Sequence, residues 1–435
     1  MAEPKATIES QVAAMKETVW FYSTFTKAIS AMMRFILLSL LCLSLTIATT
    51  AWSEEIRFRH HFIDLTLPQN DRLQGDYGLT ALVDINRDGH LDFVVGGRQP
   101  GPERLYWYES QSADKWVRHE IGTGYQSDVG LAALDVDGDG WIDLVCSGVW
   151  FRNPGNPRNQ GKWERFEFAK NAGGAHDIVV ADIDGDGRPD IVMMGDARTP
   201  LNALCWFKIP ANPRQLWERH EIGPSIHGAI APAGVADING DGHVDVVRGD
   251  TWFENKDGKG TQWIAHKNIP MGRKGPFGVC VRTVITDVDG SGKKAIVMAD
   301  ADISDSKICI LRNPDGKGLS WTKQELPQSF RYGSLHSLAV ADFHRSGRLD
   351  IVSNEQEELL PPGRTNPRWI LWENLGKGQF AERIILDNRL GGHELQVGDV
   401  FGSGKIDIVS KAWGCLPWNG AGGKMHVDLL ENVSR

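Results

Sequence analysis

The chain has 435 residues, including 48 Gly and 16 Trp, and a formal net charge of −9. This length allows two or three ordinary domains or one large all-β unit such as a propeller. The sequence contains no stripe of clustered Lys and Arg residues, so it gives no indication of nucleic-acid binding.

The first predicted element is an apolar segment at residues 35–48 (FILLSLLCLSLTIA), which follows Arg34 and leads into small residues before Ser53. This order is typical of a secretory signal peptide, whereas a membrane span needs about 20 apolar residues. We therefore expect residues 1–53 to be an N-terminal extension with a signal peptide, and the mature form to have no stable membrane span. The expected location is secreted or periplasmic.

A nine-residue acidic loop recurs through the rest of the chain. The copy Asp182-Ile-Asp-Gly-Asp-Gly-Arg-Pro-Asp190 has carboxylates at positions 1, 3, 5 and 9, a set of hard oxygen ligands that suits Ca²⁺. Its β-branched flanks predict strands on both sides rather than the helices of an EF-hand. Four copies of the loop are complete, and three degraded copies begin at Asp287, Asp342 and Asp399. About four structural calcium sites are therefore expected. The predicted ligands in the complete copies are Asp84, Asn86, Asp88, Asp92, Asp135, Asp137, Asp139, Asp143, Asp182, Asp184, Asp186, Asp190, Asp237, Asn239, Asp241 and Asp245.

The segments around each loop repeat as well. An apolar segment lies on each side of the loop, and a third and a fourth segment with aromatic residues follow, as at Trp206 and Trp217. Four short strands in each repeat of about 50 residues, seven times over, predict an all-β, seven-bladed β-propeller at residues 54–435. The chain ends after the third strand of the seventh copy, while 58–63 has the fourth-strand pattern. The N-terminal strand is therefore expected to complete the last blade.

Acidic loops between the first two strands of each blade resemble the FG-GAP/VCBS repeats of integrin-α-like propellers, over essentially all of residues 56–435. This resemblance implies a seven-bladed propeller. It says little about function, because one fold hosts many activities.

Three repeats place a histidine six residues before the first acid of the loop: His176, His336 and His393. Because side chains alternate along a strand, equal spacing is expected to turn all three towards the central channel, on the face opposite the acidic loops. Three converging imidazoles predict a Zn²⁺, Mn²⁺ or Fe²⁺ site with open positions. The alternative is that they hydrogen-bond the backbone where the strands begin. His227 is placed to reach the same mouth.

Other aromatic residues near the mouth have open roles. The long connections 354–368 and 411–425 are expected to form its walls, and Trp413 and Trp418 are candidates to stack on a sugar or to cap the second connection. The remaining tryptophans are expected to pack between blades. Histidines on the outermost strands are expected to be structural, namely His119, His220 and His266.

The strand beginning His176-Asp-Ile-Val-Val-Ala-Asp, the segment around His336 and the Trp-Phe-Glu-Asn and Trp-Glu-Arg-His strands are similar to the propeller domain of fungal aldos-2-ulose dehydratase/isomerase. That family eliminates water from keto-sugars with a metal in the propeller; its cupin domains have no counterpart here. The resemblance implies β-elimination, with Asp177, Glu394 or Tyr332 as base or acid beside the histidines.

The predicted function is therefore a metal-dependent sugar lyase or dehydratase that takes a carbohydrate or another small ligand. The alternative is a non-catalytic, adhesion-type propeller that binds a glycan or a cell-surface protein.

Overall fold

The computed structural model describes residues 55–69, 77–98, 104–159, 162–196, 198–271, 273–414 and 416–435. The expected signal peptide and Cys415 lie outside these residues. Among the described residues, no helix is long and apolar enough to cross a membrane. The one helical element in this part of the chain is a single 3₁₀ turn at Pro157–Asn159.

The described residues form short strands throughout. In chain order they are β1 (Phe58–Asp64), β2 (Tyr77–Val83), β3 (Asp92–Gly97), β4 (Leu105–Ser112), β5 (Lys115–Gly122), β6 (Ala132–Leu134), β7 (Asp143–Cys146), β8 (Val149–Arg152), β9 (Glu164–Glu167), β10 (Ala175–Ala181), β11 (Asp190–Gly195), β12 (Leu204–Lys208), β13 (Glu218–Gly223), β14 (Pro232–Ala233), β15 (Val235–Ala236), β16 (Asp245–Arg248), β17 (Thr251–Asn255), β18 (Trp263–His266), β19 (Val281–Thr286), β20 (Ala295–Asp300), β21 (Ile308–Arg312), β22 (Thr322–Glu325), β23 (Ala339–Ala341), β24 (Asp350–Asn354), β25 (Trp369–Gly376), β26 (Gln379–Leu386), β27 (His393–Gly398), β28 (Asp407–Lys411) and β29 (Val427–Asn432).

Seven small sheets account for these strands. Blades 1 to 6 are β2–β5, β6–β9, β10–β13, β15–β18, β19–β22 and β23–β26, each with neighbouring strands antiparallel, and blade 7 contains β27–β29 and β1. The short strand β14 adds to blade 5 by pairing in parallel with β19. The predicted seven-bladed propeller is therefore confirmed.

The ring closes through the N-terminal strand. Strand β1 pairs antiparallel with β29, with Phe58 opposite Asn432 and Asp64 opposite Val427. The predicted completion of the last blade is confirmed, and the closure leaves that blade without an unpaired third-strand edge.

Tryptophans on the third strands join neighbouring blades. Trp206 Nε1 donates to the carbonyl of Gly260 (3.0 Å), and Trp252 Nε1 donates to that of Gly318 (3.1 Å), in each case one blade further along the chain. A Cβ atom on either glycine would lie 2.8 Å from an indole carbon, and both glycines have a positive φ, so glycine is required at this contact. This placement agrees with the expected packing role.

The histidines of the outer strands lie against the same tryptophans. His119 stacks on Trp107, His220 on Trp206 and His266 on Trp252, with ring centroids 4.2–4.3 Å apart. These imidazoles extend the packing at the periphery and contribute nothing to the channel.

The acidic residue at position 9 of the acidic loop connects several parts of the blade. In blade 4, Asp245 accepts hydrogen bonds from the backbone amides of Ile238 and Asn255, both at 2.9 Å. The side chain of Asn255 then donates to the carbonyl of Ile183 in blade 3 (2.8 Å). Burial raises the pKa of Asp245 to about 7. One acidic residue therefore links its own loop, the third strand and the preceding blade.

Candidate functional site

A cavity of about 840 Å³ opens at one end of the central channel. Its walls come from the connections between second and third strands and from those that lead into each first strand. In an antiparallel sheet these connections lie at the end opposite the acidic loops, as the sequence predicted. The residues on which the site depends are Arg98, His176, Arg198, His227, Phe277, Asp302, His336, Glu358, His393 and Trp413.

Three histidines of this mouth each have a carboxylate in contact with the Nδ1 atom of the ring. His176 Nδ1 lies 2.9 Å from Asp177 Oδ1, and His336 Nδ1 lies 3.1 Å from Glu394 Oε1. His227 repeats the arrangement, with Nδ1 2.8 Å from an oxygen of Asp196. A carboxylate on one ring nitrogen orients the imidazole and directs the other nitrogen towards a ligand, the usual support for a metal-binding histidine.

Asp302 lies among these rings, on the loop that follows β20. Its Oδ2 is 3.4 Å from His227 Nε2 and 3.8 Å from His336 Nε2, which is too long for strong hydrogen bonds. Burial alone would raise the pKa of Asp302, but the neighbouring His336 and His227 lower it below the usual range. Ligand atoms of His176, Cys280, Asp302 and His336 lie within 4.8 Å of one another. This donor set fits a transition metal better than Mg²⁺ or Ca²⁺.

His393 belongs to the same cluster but has a different partner. Its ring stacks on His336 (4.1 Å between centroids), and its Nδ1 lies 3.1 Å from Lys411 Nζ. Burial holds the pKa of His393 well below its usual range and lowers the pKa of Lys411 to about 7. Trp413 stacks on His393, and the guanidinium of Arg98 lies 4.8 Å from the indole centroid. Trp413 therefore packs against His393 and Arg98 while it lines the cavity, and Trp418 does not line it.

Arg282, which was not among the predicted site residues, lies at the centre of the ring. It lies on β19 and is buried between two carboxylates, 3.1 Å from Asp177 Oδ1 and 2.6 Å from Glu394 Oε2. Asp177 is in blade 3 and Glu394 is in blade 7, so the guanidinium spans the channel below the histidines. The sequence feature that could have indicated this role is an arginine within the apolar segment of a first strand.

The three residues predicted to act as base or acid, Asp177, Glu394 and Tyr332, have different surroundings. Asp177 also accepts hydrogen bonds from the amides of Ala229 (2.7 Å) and Ile230 (2.8 Å), so both of its oxygens are engaged. Glu394 adopts a positive φ of 54° within an irregularity at the start of β27. Tyr332 does not reach the mouth, since its ring is in a hydrophobic cluster and its hydroxyl donates to Glu382 (2.8 Å).

Glu358 is another residue of the site that was not predicted from the sequence. It lies in the connection between β24 and β25 and contributes to the cavity wall. Neither of its buried carboxylate oxygens has a hydrogen-bond partner among the described residues. Burial raises the pKa of Glu358 to about 8, which favours the protonated form of the carboxyl group.

The acidic loops keep one shape in intact and degraded copies. Asp182 accepts the amides of Asp186 (3.1 Å) and Gly187 (2.9 Å), and the degraded copy at Asp342 makes the equivalent bonds. Ligand atoms of Asp182, Asp184 and Asp190, and those of the equivalent acids of blade 2, lie within 4.8 Å of one another. This oxygen donor set fits Ca²⁺. Lys208 binds the carboxylates of Asp184 and Asp186, so calcium in blade 3 would have to displace an ammonium group.

Comparisons with known proteins agree with the repeat assignment. Residues 84–146 and 147–193 match the model of the FG-GAP-like repeat family. Among solved structures, the V. cholerae biofilm matrix protein Bap1 is similar at 14% identity with a TM-score of 0.38, over 87% of this chain and 71% of that chain. No curated protein matches the sequence. The fold assignment rests on the strand pairing and on the repeat match.

Proposed function

We propose that this seven-bladed propeller of FG-GAP-like repeats is a carbohydrate carbon–oxygen lyase, a dehydratase, that works with a transition metal at its histidine-lined mouth. The observation that carries the proposal is the set of carboxylate-backed histidines around Asp302. We assign His176, His336 and Asp302 as the residues that hold the metal, with Cys280 behind them and His227 beside them.

A bound Zn²⁺, Mn²⁺ or Fe²⁺ would act as a Lewis acid on the carbonyl of a keto-sugar. The chain's own residues then have distinct tasks in β-elimination. His393 is buried and its Nε2 has no hydrogen-bond partner among the described residues, which makes it the candidate to take the proton next to the carbonyl. Glu358 carries the proton that the departing hydroxyl group needs in order to leave as water. Asp177 and Glu394 are positioning residues that orient His176 and His336.

The alternative function is a binding propeller without turnover. It is favoured by the ion pairs of Arg282 with Asp177 and Glu394, which can hold the ring together without any chemistry at the mouth. Its ligand would be a glycan or a cell-surface protein. The two functions differ in whether a bound keto-sugar is converted.

The decisive experiment measures transition-metal content and then turnover. Purified full-length protein, loaded in turn with Zn²⁺, Mn²⁺ and Fe²⁺, is incubated with a panel of keto-hexoses, and the conjugated enone formed by elimination is followed by ultraviolet absorbance. We expect Glu358→Gln to lower the rate about 100-fold, the usual contribution of a general acid, with metal content unchanged. The exposed outer-strand substitution Glu164→Gln serves as the control. Metal without turnover would favour the binding propeller, and absence of any bound transition metal would contradict the proposal.

We also propose four structural calcium sites, in the complete acidic loops of blades 1 to 4, and a secreted or periplasmic location for the mature protein. An ion bound only by the folded state stabilises it, by about 2.7 kcal/mol per site at a concentration 100 times its Kd. Excess chelator is therefore expected to lower the melting temperature measured by calorimetry. Chelator already saturated with calcium is the control, and an equal melting temperature in both samples would rule out stabilisation by calcium.

A further inference from the structure

Phe277 occupies an unusual position at the rim of the mouth. It follows Pro276 at the tip of a tight turn between β18 and β19, closed by reciprocal backbone hydrogen bonds between Gly275 and Gly278 (2.7 and 3.0 Å). The phenyl side chain is 49% exposed, although it contributes to the cavity wall. A single exposed aromatic residue is common, but one on a tight turn in the wall of a cavity with convergent polar groups is typical of a ligand-contacting residue.

The residues below Phe277 hold its ring in place. One neighbour is the imidazole of His227, stacked at 5.0 Å between centroids with an angle of 27°. His227 is anchored by Asp196, and the same carboxylate binds Arg198 through two hydrogen bonds of 2.8 Å. The guanidinium of Arg198 lies 5.7 Å from the phenyl centroid. The wall therefore combines an oriented aromatic face with a cation whose remaining N–H groups are available to a ligand.

The chemistry of this wall matches a sugar ring. The C–H groups on one face of a pyranose carry partial positive charge and pack against the negative face of an aromatic ring, while the hydroxyl groups at its edge need hydrogen-bond partners. Arg198 and the polar residues of the cavity supply such partners. A cavity of about 840 Å³ also lies within the usual size of small-ligand sites.

We propose that Phe277 is the stacking platform of a hexopyranose-binding subsite, with Arg198 as hydrogen-bond donor to the hydroxyl groups of the stacked ring. The proposal rests on the proposed function in one respect: the stacked ring is the part of the sugar presented to the metal residues beside His227. Recognition of the ring by Phe277 and Arg198 itself requires no metal.

The test is saturation-transfer NMR on full-length protein with methyl β-D-glucopyranoside, with the acyclic polyol sorbitol as the comparison ligand. We expect saturation to reach the ring protons H1, H3 and H5, which share one face of this sugar. We expect no transfer of saturation to sorbitol. Phe277→Ala is expected to weaken binding roughly tenfold, the ratio expected for loss of one aromatic contact. Phe277→Tyr is expected to keep it. The matched control is Phe62→Ala, which removes a 39% exposed phenyl group from blade 7.

The same measurement is repeated after removal of transition metals. Pyranoside binding that depends on Phe277 and survives metal removal supports the subsite even if the lyase proposal fails. Equal saturation of sorbitol and the pyranoside, unchanged binding by Phe277→Ala, or no signal from the pyranoside would each overturn it.

Discussion

His336→Ala is expected to lower the affinity of the mouth for a transition metal by about 100-fold or more, because it removes an imidazole ligand together with the function of its supporting carboxylate. His336 is central to the cluster. Its Nδ1 is bound by Glu394, and its Nε2 lies 3.8 Å from Asp302 and 3.9 Å from the sulfur of Cys280. A competition titration against a chromophoric chelator measures the change without any need for a substrate.

A matched control is His220→Ala, which removes a histidine that stacks on Trp206 at the outer edge of blade 3. That substitution is expected to leave metal affinity unchanged. His393→Ala is expected to have a smaller effect than His336→Ala, because Nδ1 of His393 faces Lys411 instead of a carboxylate. If His336→Ala binds metal as tightly as the unaltered protein, the assignment of His336 as a ligand is wrong.

Arg282→Met is expected to destabilise the propeller by roughly 3–5 kcal/mol, the cost of leaving buried charges without their partner. The methionine fills similar space but leaves Asp177 and Glu394 facing each other across the channel without the bridging guanidinium. Urea denaturation, monitored by tryptophan fluorescence, measures the loss. The control is Arg104→Met, since Arg104 and Glu120 form a pair that is half exposed on both sides and contributes less than about 1 kcal/mol.

The loss of stability caused by Arg282→Met should depend on pH. In the folded protein, His176 and Arg282 keep the pKa of Asp177 below its usual range despite the opposing effect of burial. The stabilisation from this carboxylate is therefore complete above its unfolded pKa of about 4 and decreases as the pH falls towards the folded value. The difference between Arg282→Met and the unaltered protein should be largest at neutral pH and should shrink in acid, where protonation removes the unpaired charge. A difference that grows in acid would contradict the assigned ion pair.

The sequence predicted the blades because their signals are local. Each acidic loop with β-branched flanks, such as 182–190, specifies one hairpin, and its repetition specifies the ring. The positions of His176, His336 and His393 followed from the same repeat. Even the closure through β1 could be predicted, because the fourth-strand pattern appears at the start of the chain instead of the end.

The partners of those histidines could not be predicted, because they come from distant blades. Arg282 meets Asp177 across 105 residues and Glu394 across 112, so their contact exists only once the ring is closed. Asp302 lies on a loop that belongs to no repeat motif. The placement of Tyr332 away from the cavity has a local cause. This aromatic residue, in a connection between blades, packs against apolar neighbours and donates to Glu382, and burial there outweighs exposure at the mouth.

Arg282 also determines how molecules move through the ring. With Asp177 and Glu394 it forms a floor between the histidine-lined cavity and a second cavity of about 330 Å³ on the other side, which Thr80 and Gln396 help to line. We therefore expect a small molecule that enters the mouth to leave by the same opening. If the mouth is the site of the proposed lyase, substrate and product would pass through the same opening, and the rate of turnover would depend on how quickly the product leaves.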